Sequence, residues 1–323
     1  MELDAKDRKI FYLLTENSRM KRSDMAKRVG LKKNTVIYRI NRLLKEKYIK
    51  RFVAITDFQR FGVYSYDLFV KIRASEKREQ AIRAYFTKHP NVIWATTLFG
   101  QWDLFVQIAA RSVEEFNEIM GHITVFLGSN LENHEVKFPV KRTKMIHTMF
   151  DCEKETGYKY KLPSDSETTA LDEADKKILR CLSSDGLASY MYIAKETGIA
   201  METVRNRMNA LRKKGVILKY APEINYGKFN ISTYLVIVNF RYMSVDSRKR
   251  VFGYLNHRND VKIIFETVGK QEIYFYAAVG SPKELEALVK DMKYRFQNSI
   301  LNAEHLLITE ELKLDFFPEA LAP

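Results

Sequence analysis

The chain has 323 residues, of which 46% are hydrophobic and 12% aromatic, and this composition excludes a mainly disordered protein. Its 54 lysines and arginines outnumber 40 acidic residues, and the formal net charge of +14 favours an anionic partner such as nucleic acid or a membrane surface. Two cysteines exclude a disulfide framework, and the lack of a signal peptide or a long apolar run predicts a cytoplasmic protein that does not enter the membrane.

The sequence contains an internal repeat. The stretch LDAKDRKIFYLL, which begins at Leu3, returns as LDEADKKILRCL at Leu171, and residues 3–61 share 17 identities with residues 171–229. Chance would give roughly three or four identities over this length. The stretch HPNVIWATTLFGQWDLFVQIAA likewise returns as HRNDVKIIFETVGKQEIYFYAA. The chain is therefore predicted to be a tandem duplication of one two-part unit.

Each unit begins with a head of three short helices and a strand. Asp4 and Asp172 are predicted to cap the first helix, because a carboxylate accepts the free N–H groups of a first turn. The second helix ends at a glycine, Gly30 or Gly198, and a basic third helix follows, as in a helix-turn-helix. The stretches YIKRFVAIT and VILKYAPEI come next as candidate wing strands. We predict the second and third helices at about residues 23–29 and 33–46, and at 191–197 and 201–214.

The second part of each unit alternates strands and helices in the order βαββαβ. This order predicts a ferredoxin-like sandwich with both helices on one face of an antiparallel sheet, and we expect the twin copy to cover the other face. The first set of elements is predicted at 65–73, 77–88, 92–99, 102–110, 113–127 and 132–142. The second set is predicted at 232–241, 246–256, 261–268, 272–279, 282–297 and 300–314.

The predicted fold class is α+β, with two winged helix-turn-helix domains that each precede a βαββαβ domain. The polar stretch FDCEKETGYKYKLPSDSETTA between the copies has the composition of a linker. The boundaries are 1–60 and 171–228 for the two heads, 61–148 and 229–318 for the two βαββαβ domains, and 149–170 for the linker.

Positive charge is concentrated in the two heads. Residues 19–51 hold thirteen basic and two acidic residues, and the matching window 187–219 holds seven and two. A solvated surface normally mixes charges of both signs, so the first window in particular predicts contact with double-stranded DNA.

In the first head, the outward face of the third helix supplies the candidate DNA contacts. Its first turn would reach base edges most easily, so Lys33, Asn34 and Tyr38 are predicted to read bases, as asparagine suits adenine and lysine suits guanine. The alternative for each residue is an ordinary surface charge. The predicted phosphate contacts are Lys32, Arg39, Arg42, Lys45, Lys50 and Arg51 in the first copy, and Arg205, Arg207, Arg212 and Lys213 in the second.

The sequence resembles the Lrp/AsnC family of transcription regulators. The resemblance lies in LDAKDRKI with DMAKRVGLKKNTVIYRINRLLKEKYI, and in LDEADKKIL with YIAKETGIAMETVRNRMNALRKKGVI. It implies a sensor domain of the RAM type after each head, an amino-acid effector, and pairing through the sheets with further assembly into oligomers. Most members carry one head and one sensor, so this chain is interpreted as an intramolecular pseudo-dimer suited to an asymmetric operator.

The resemblance also implies an effector site at a Gly-x-x-Asp turn between the second and third sensor strands. The matching residues are Gly100 and Asp103 in the first copy and Gly269 and Glu272 in the second. A carboxylate there could hold an ammonium group of the effector. The alternative is a β-turn that only joins two strands.

Two other functions compete with a sequence-specific regulator. Sirohaem decarboxylases resemble the same two-copy scaffold, but the sequence shows no convincing His/Arg cluster for a tetrapyrrole, and we expect no enzymatic activity. A non-specific architectural DNA-binding protein would use the same basic residues. No histidine or cysteine has zinc-site spacing, so no metal and no cofactor are expected.

Overall fold

The computed structural model describes residues 3–143, 168–241, 244–268 and 272–323. The predicted linker 149–170 lies outside the described residues except for its last three. Both copies contain the predicted elements in the predicted order, with ends that differ by no more than two residues. The first copy comprises α1 Ala5–Asn17, α2 Arg22–Val29, α3 Lys33–Lys45, β1 Ile49–Thr56, β2 Tyr64–Ile72, α4 Glu76–Lys88, β3 Val92–Phe99, β4 Leu104–Ala110, α5 Val113–Leu127 and β5 Leu131–Thr143. The second comprises α6 Glu173–Ser184, α7 Tyr190–Thr197, α8 Met201–Lys213, β6 Ile217–Ile224, β7 Ser232–Phe240, α9 Val245–His257, β8 Val261–Val268, β9 Glu272–Val279, α10 Pro282–Arg295 and β10 Ile300–Leu314.

The two sensor sheets join into one closed barrel of strands. Its order is β10-β3-β4-β2-β5-β8-β9-β7, so each copy contributes four neighbouring strands. The two joins are antiparallel: β5 pairs with β8, with Arg142 opposite Phe265, and β10 pairs with β3, with Glu311 opposite Thr96. These four residues are equivalent in the two copies at a spacing of 169, so the barrel has pseudo-twofold symmetry.

The barrel has two kinds of hydrophobic core. The helices of each sensor pack on the outer face of their own sheet, where Phe86, Ile123 and Leu288 are fully or almost fully buried. The inner faces of the two sheets face one another, which confirms the expectation that each copy covers the other. The large buried side chains between the sheets are Phe69, Trp94, Trp102, Phe105, Leu235, Phe265, Tyr274 and Tyr276.

The strands predicted as wings pair with each other. β1 and β6 form a two-stranded antiparallel sheet in which Val53 lies opposite Ala221. Val53 and Ala221 are equivalent residues at the repeat spacing of 168, so the pseudo-twofold axis passes between them. The two heads are thus joined at their strands, and neither strand projects freely.

Each head also packs on the strand of the other copy. The Ser18 N–H donates to Tyr220 O at 2.9 Å, and the equivalent Gly186 N–H donates to Phe52 O at 2.8 Å. A Cβ atom at Gly186 would lie 2.4 Å from the backbone of Val53, so only glycine fits there. The first helix of each head is therefore fixed by the opposite half of the chain.

The carboxyl-terminal segment closes the contact between the copies. Phe317 is completely buried, although the repeat does not extend to this segment. Arg180 of α6 donates to Asp315 Oδ2 at 2.7 Å, and the Ala320 N–H donates to Pro90 O at 3.1 Å. The last residues therefore attach the second copy to the first.

His89 lies at another contact between the copies, at the end of α4. Its carbonyl oxygen accepts from Lys313 Nζ of β10 at 2.7 Å, and its Nδ1 accepts from the Asn91 N–H at 3.2 Å. Burial lowers the pKa of His89 to about 4, and the charges of Lys313 and His122 act in the same direction. Protonation of His89 is therefore unfavourable in the folded state.

We expect His89 to destabilise the fold in mild acid. The folded pKa of His89 is about 4 and its unfolded value is 6.5, so the unfolded state binds a proton first as the pH falls. The free energy of unfolding is therefore unaffected by His89 above pH 6.5 and decreases as the pH falls from 6.5 towards 4. His89→Gln should therefore lose less thermal stability than the wild type between these pH values. The exposed His134→Gln is the control, and equal losses in wild type and His89→Gln would contradict this role.

Candidate nucleic-acid interface

The third helix of each head follows a tight turn. α2 ends at Gly30, whose φ of +70° lies in the left-handed region that glycine adopts without strain. α3 then begins at Lys33, and neither Lys32 nor the equivalent Ala200 caps the following helix with its side chain. The first backbone N–H groups of α3 and α8 can therefore still bind an anion.

α3 has one buried and one exposed face, as predicted. Val36, Ile40 and Leu43 are buried against the head core. The base-reading candidates lie on the opposite side, and the Tyr38 ring is 66% exposed. The exposed candidates on this face are Lys32, Lys33, Asn34, Tyr38 and Lys45.

Arg39 of the same helix turns towards the protein. Its Nη1 donates to Asp4 Oδ2 at 2.7 Å and to Asp7 Oδ1 at 2.8 Å. The hydrogen bond to Asp4 raises the pKa of Arg39, and the same bond lowers the pKa of Asp4. Because Asp4 also caps α1, this cluster attaches the third helix to the start of the first.

The second head repeats this cluster. Arg207 Nη1 lies 2.7 Å from Asp172 Oδ2 and 2.9 Å from Asp175 Oδ1. In the first head Arg42 adds a contact of 2.6 Å to Asp7, whose side chain is 2% exposed. Sequence reasoning missed these acidic partners, although the arginine and both aspartates are identical in the two copies.

Lys50 and Arg51 lie at the junction of the two copies. Lys50 Nζ is 2.8 Å from Glu311 and 3.3 Å from Glu223, and Arg51 Nε donates to Glu223 at 2.7 Å. Arg51 Nη1 also donates to Ser183 O at 3.0 Å, near the end of α6, where a cation is favourable. Both side chains are therefore occupied in holding β1 against the second copy.

Carboxylates of the same chain hold five of the predicted phosphate contacts: Arg39, Arg42, Lys50, Arg51 and Arg207. The side chains of six exposed lysines of the window 19–51 form no ion pair or hydrogen bond with any residue that the structure describes. They are Lys21, Lys27, Lys32, Lys33, Lys45 and Lys47. The arginines of this window thus serve the fold, while these lysines are free to meet phosphates.

The second head presents a different surface. At the start of α8, Met201 and Glu202 replace Lys33 and Asn34, and the Met201 side chain is 53% exposed. Glu202 lies 3.6 Å from Arg205, one of the predicted contacts. The remaining predicted contacts of this head, Arg212 and Lys213, are exposed on the last turn of α8.

The Gly-x-x-Asp turn of the first sensor is occupied by contacts within the protein. Asp103 accepts from Lys71 Nζ at 2.9 Å and from the Ile72 N–H at 2.8 Å. At Gly100, a Cβ atom would lie 2.6 Å from Leu306 of the opposite copy. The φ of Gly100, +150°, also lies where glycine is favoured, so this position suits glycine for a structural reason, and the carboxylate is already bound.

The other predicted positions are only partly described. Gly269 lies outside the described residues, and Glu272 is the first residue of β9. No group of three or more His, Cys, Asp or Glu among the described residues is arranged to hold a metal ion. None of the described helices is both long and apolar enough to cross a membrane.

Three family models match parts of the chain. A winged helix-turn-helix DNA-binding domain matches residues 3–50, and an AsnC-type helix-turn-helix domain matches residues 171–212. An Lrp/AsnC ligand binding domain matches residues 67–128. The second head and the first sensor thus match AsnC-type models, and the first head matches a general winged helix-turn-helix model.

Similar curated proteins are single-copy regulators. An HTH-type transcriptional regulator of Pyrococcus furiosus is 35% identical over 123 residues, which is 38% of this chain and 80% of the relative. The proline dehydrogenase transcriptional activator of Rhizobium radiobacter is 30% identical over 37% of this chain and 78% of its own length. Each relative therefore corresponds to about one copy of the repeat.

Two solved structures match over nearly the whole chain, and both are of the sirohaem decarboxylase NirDL. The complex with an iron-uroporphyrin III analogue has a TM-score of 0.66 and 13% identity, and covers 98% of this chain and 96% of that chain. The second structure has a TM-score of 0.65. This finding contradicts the expectation of no enzymatic activity, because an enzyme has the same full-length fold.

We expect the Arg39 cluster to stabilise the head. Arg39→Met should lower the free energy of unfolding by about 2 kcal/mol, because it leaves the nearly buried Asp7 with one cationic partner fewer. Lys33→Met, on the same helix but exposed, should change it by less than about 0.5 kcal/mol. Chemical denaturation measures both, and equal effects would contradict the division between structural arginines and free lysines.

Proposed function

Because the chain belongs to the Lrp/AsnC family and is a DNA-binding transcription regulator of that type, we propose that it reads an asymmetric DNA site mainly through its first head. The observation that carries this proposal is the row of exposed, unpaired lysines around α3. A third helix with a buried apolar side and a free cationic side suits the major groove of B-DNA.

The base-reading residues of the proposal are Lys33, Asn34 and Tyr38. They lie on the first two turns of α3, where a recognition helix approaches base edges, and all three are exposed. Lys32 and Lys45 lie at the two ends of the helix and would fix its position through phosphates. The first two turns of α3 would then read sequence, while Lys32 and Lys45 bind the backbone on either side.

The second head would make weaker and different contacts. Glu202 repels phosphate and can accept only from the amino groups of cytosine or adenine in the major groove, while Arg212 and Lys213 remain free to touch the backbone. The two heads are held in one pseudo-dimer, so one chain presents one strong and one weak reader. The matching operator would have two unlike half-sites, since site symmetry follows protein symmetry.

The finer partners are also part of the proposal. We place the chain in the cytoplasm, with a small-molecule effector bound in its sensor half and with chains that can assemble further. The presence of a ligand binding domain among the matched families supports an effector. The occupied Asp103 carboxylate argues against the turn of the first sensor as the place where an ammonium group binds.

A decarboxylase activity on sirohaem is a second candidate, favoured by the full-length fold shared with NirDL. Anaerobic incubation with sirohaem, followed by mass spectrometry of the tetrapyrrole, tests it directly. Loss of carbon dioxide from the substrate would establish the activity. Unchanged sirohaem, together with specific DNA binding, would exclude this activity and support the function of a transcription regulator.

We expect the salt dependence of DNA binding to come mainly from the first head. Lys32→Ala and Lys45→Ala should each weaken binding to all sequences alike and reduce the slope of log K against log salt by about 1. Lys50→Ala, whose ammonium is already paired with Glu311, is the matched control and should leave the slope unchanged. An equal slope change in all three variants would contradict the assignment.

We expect Asn34 to carry sequence preference. Asn34→Ala should cost about 1–3 kcal/mol at one base pair of the selected site and little on random DNA. Selection of binding sites from random duplexes, followed by footprinting, measures this and the symmetry of the site. Two equally protected, palindromic half-sites would contradict the asymmetric reader, and uniform binding without a selected site would indicate an architectural protein.

A further inference from the structure

The second head carries exposed apolar side chains at positions where the first head is polar. Met191 and Tyr192 lie in the first turn of α7, Met201 begins α8, and all three are exposed. At the repeat spacing of 168, the equivalent residues of the first head are Ser23, Asp24 and Lys33. In a helix-turn-helix the first helix of the motif crosses the DNA backbone and the second lies in the major groove. The apolar side chains are therefore on the surface that would face DNA.

The first two turns of α8 present a different set of groups from those of α3. Met201, Glu202 and Asn206 are exposed, and they are equivalent to the base-reading candidates of the first head, Lys33, Asn34 and Tyr38. The Asn206 amide forms no hydrogen bond with any residue that the structure describes, so its donor and its acceptor are both available. Divergence after duplication has thus replaced the whole reading set rather than weakened it.

The charges of α8 decide between DNA and a protein as the partner of this surface, because exposed apolar groups also serve protein docking. The exposed charged residues of α8 and its C-cap are Glu202, Arg205, Arg212, Lys213 and Lys214. Glu202 lies 3.6 Å from Arg205, which leaves three cations at the end of the helix without a carboxylate partner among the described residues. A helix with a cationic end suits contact with phosphates, so DNA is favoured.

The chemistry of the major groove assigns bases to the new set. The apolar group that the groove offers is the C5-methyl of thymine, and the Met201 thioether has no hydrogen-bond donor for guanine. The Asn206 amide can donate to N7 of adenine and accept from its N6 amino group at once. Glu202 accepts from the amino group of adenine or cytosine. Each of these groups is compatible with an A·T base pair.

From this combination we infer that the second head reads A·T base pairs, with Met201 against a thymine methyl group and Asn206 on an adenine. The inference rests on the proposed function and names the half-site of its second reader. Lys33 of the first head suits guanine instead. The two halves of the operator therefore differ in base composition as well as in strength, and one chain binds them in only one orientation.

Deoxyuridine allows a direct test, because it pairs like thymine and lacks only the methyl group. The probe is a duplex selected from random sequences by the full-length protein, with each thymine replaced in turn. One replacement in the half that the second head protects should weaken binding about fourfold, as expected for burial of one methyl group. The Asn34→Ala protein identifies the other half, since its base preference changes only there.

Met201→Ala decides whether the lost methyl group was read by this side chain. Because Met201 is exposed, the variant should fold like the wild type, with an unchanged circular dichroism spectrum. It should bind the thymine and deoxyuridine duplexes equally, as expected when one of two contacting groups is already absent. A fourfold loss that persists in Met201→Ala would contradict this contact.

A transplant of the first head's residues tests the whole reading set. The triple variant Met201→Lys, Glu202→Asn, Asn206→Tyr should select a nearly palindromic site with guanine in both halves. Met191→Ser also restores a residue of the first copy, but on α7, and it is the matched control that should select the wild-type site. A triple variant that still selects the wild-type site would overturn the inference.

The footprint separates this inference from the proposed function. A selected site whose second half is insensitive to deoxyuridine overturns the inference and leaves the asymmetric reader. Protection of the first half alone also overturns it and indicates that the apolar surface of the second head docks a protein. Uniform binding without any selected site overturns the proposed function and the inference together.

Discussion

The antiparallel pairing of β1 with β6 is the contact on which the rest of the molecule depends. It brings the two heads together, places the pseudo-twofold axis between Val53 and Ala221, and gives each first helix a surface supplied by the other copy. Below it, β5–β8 and β10–β3 pairing closes the barrel. Because every one of these contacts joins opposite copies, neither half can cover the inner face of its own sheet alone.

The division of labour between arginine and lysine in the first head follows from their chemistry. A planar guanidinium can satisfy two carboxylate groups at once, and Arg39 does so with Asp4 and Asp7. A lysine ammonium on a flexible stem stays hydrated and is less suited to such fixed pairs. The window that looked uniformly cationic in sequence therefore contains both a structural ion-pair cluster and a free cationic surface.

The repeat, the element order and the exposed face of α3 could be predicted because periodicity and duplication are local properties of the sequence. The partners of Arg39, Lys50 and Arg51 could not, because they lie in other elements or in the other copy, where spacing along the chain says nothing about proximity. The attachment of Phe317 was missed for a related reason, since that segment has no counterpart in the repeat. The enzyme with the same full-length fold shows a further limit: a scaffold of this kind does not by itself determine chemistry.

The closed barrel restricts how several chains can meet. An open sheet offers unpaired N–H and C=O groups at its edges, and neighbouring molecules often join there by adding strand to strand. Here the two copies have consumed each other's edges, so the described part of the sensor half has no strand left to share. Contacts between chains through this half must therefore use side chains on the outer helices and turns, such as the exposed Val125 of α5 and Tyr294 of α10, and a few substitutions there could change assembly without disturbing the barrel.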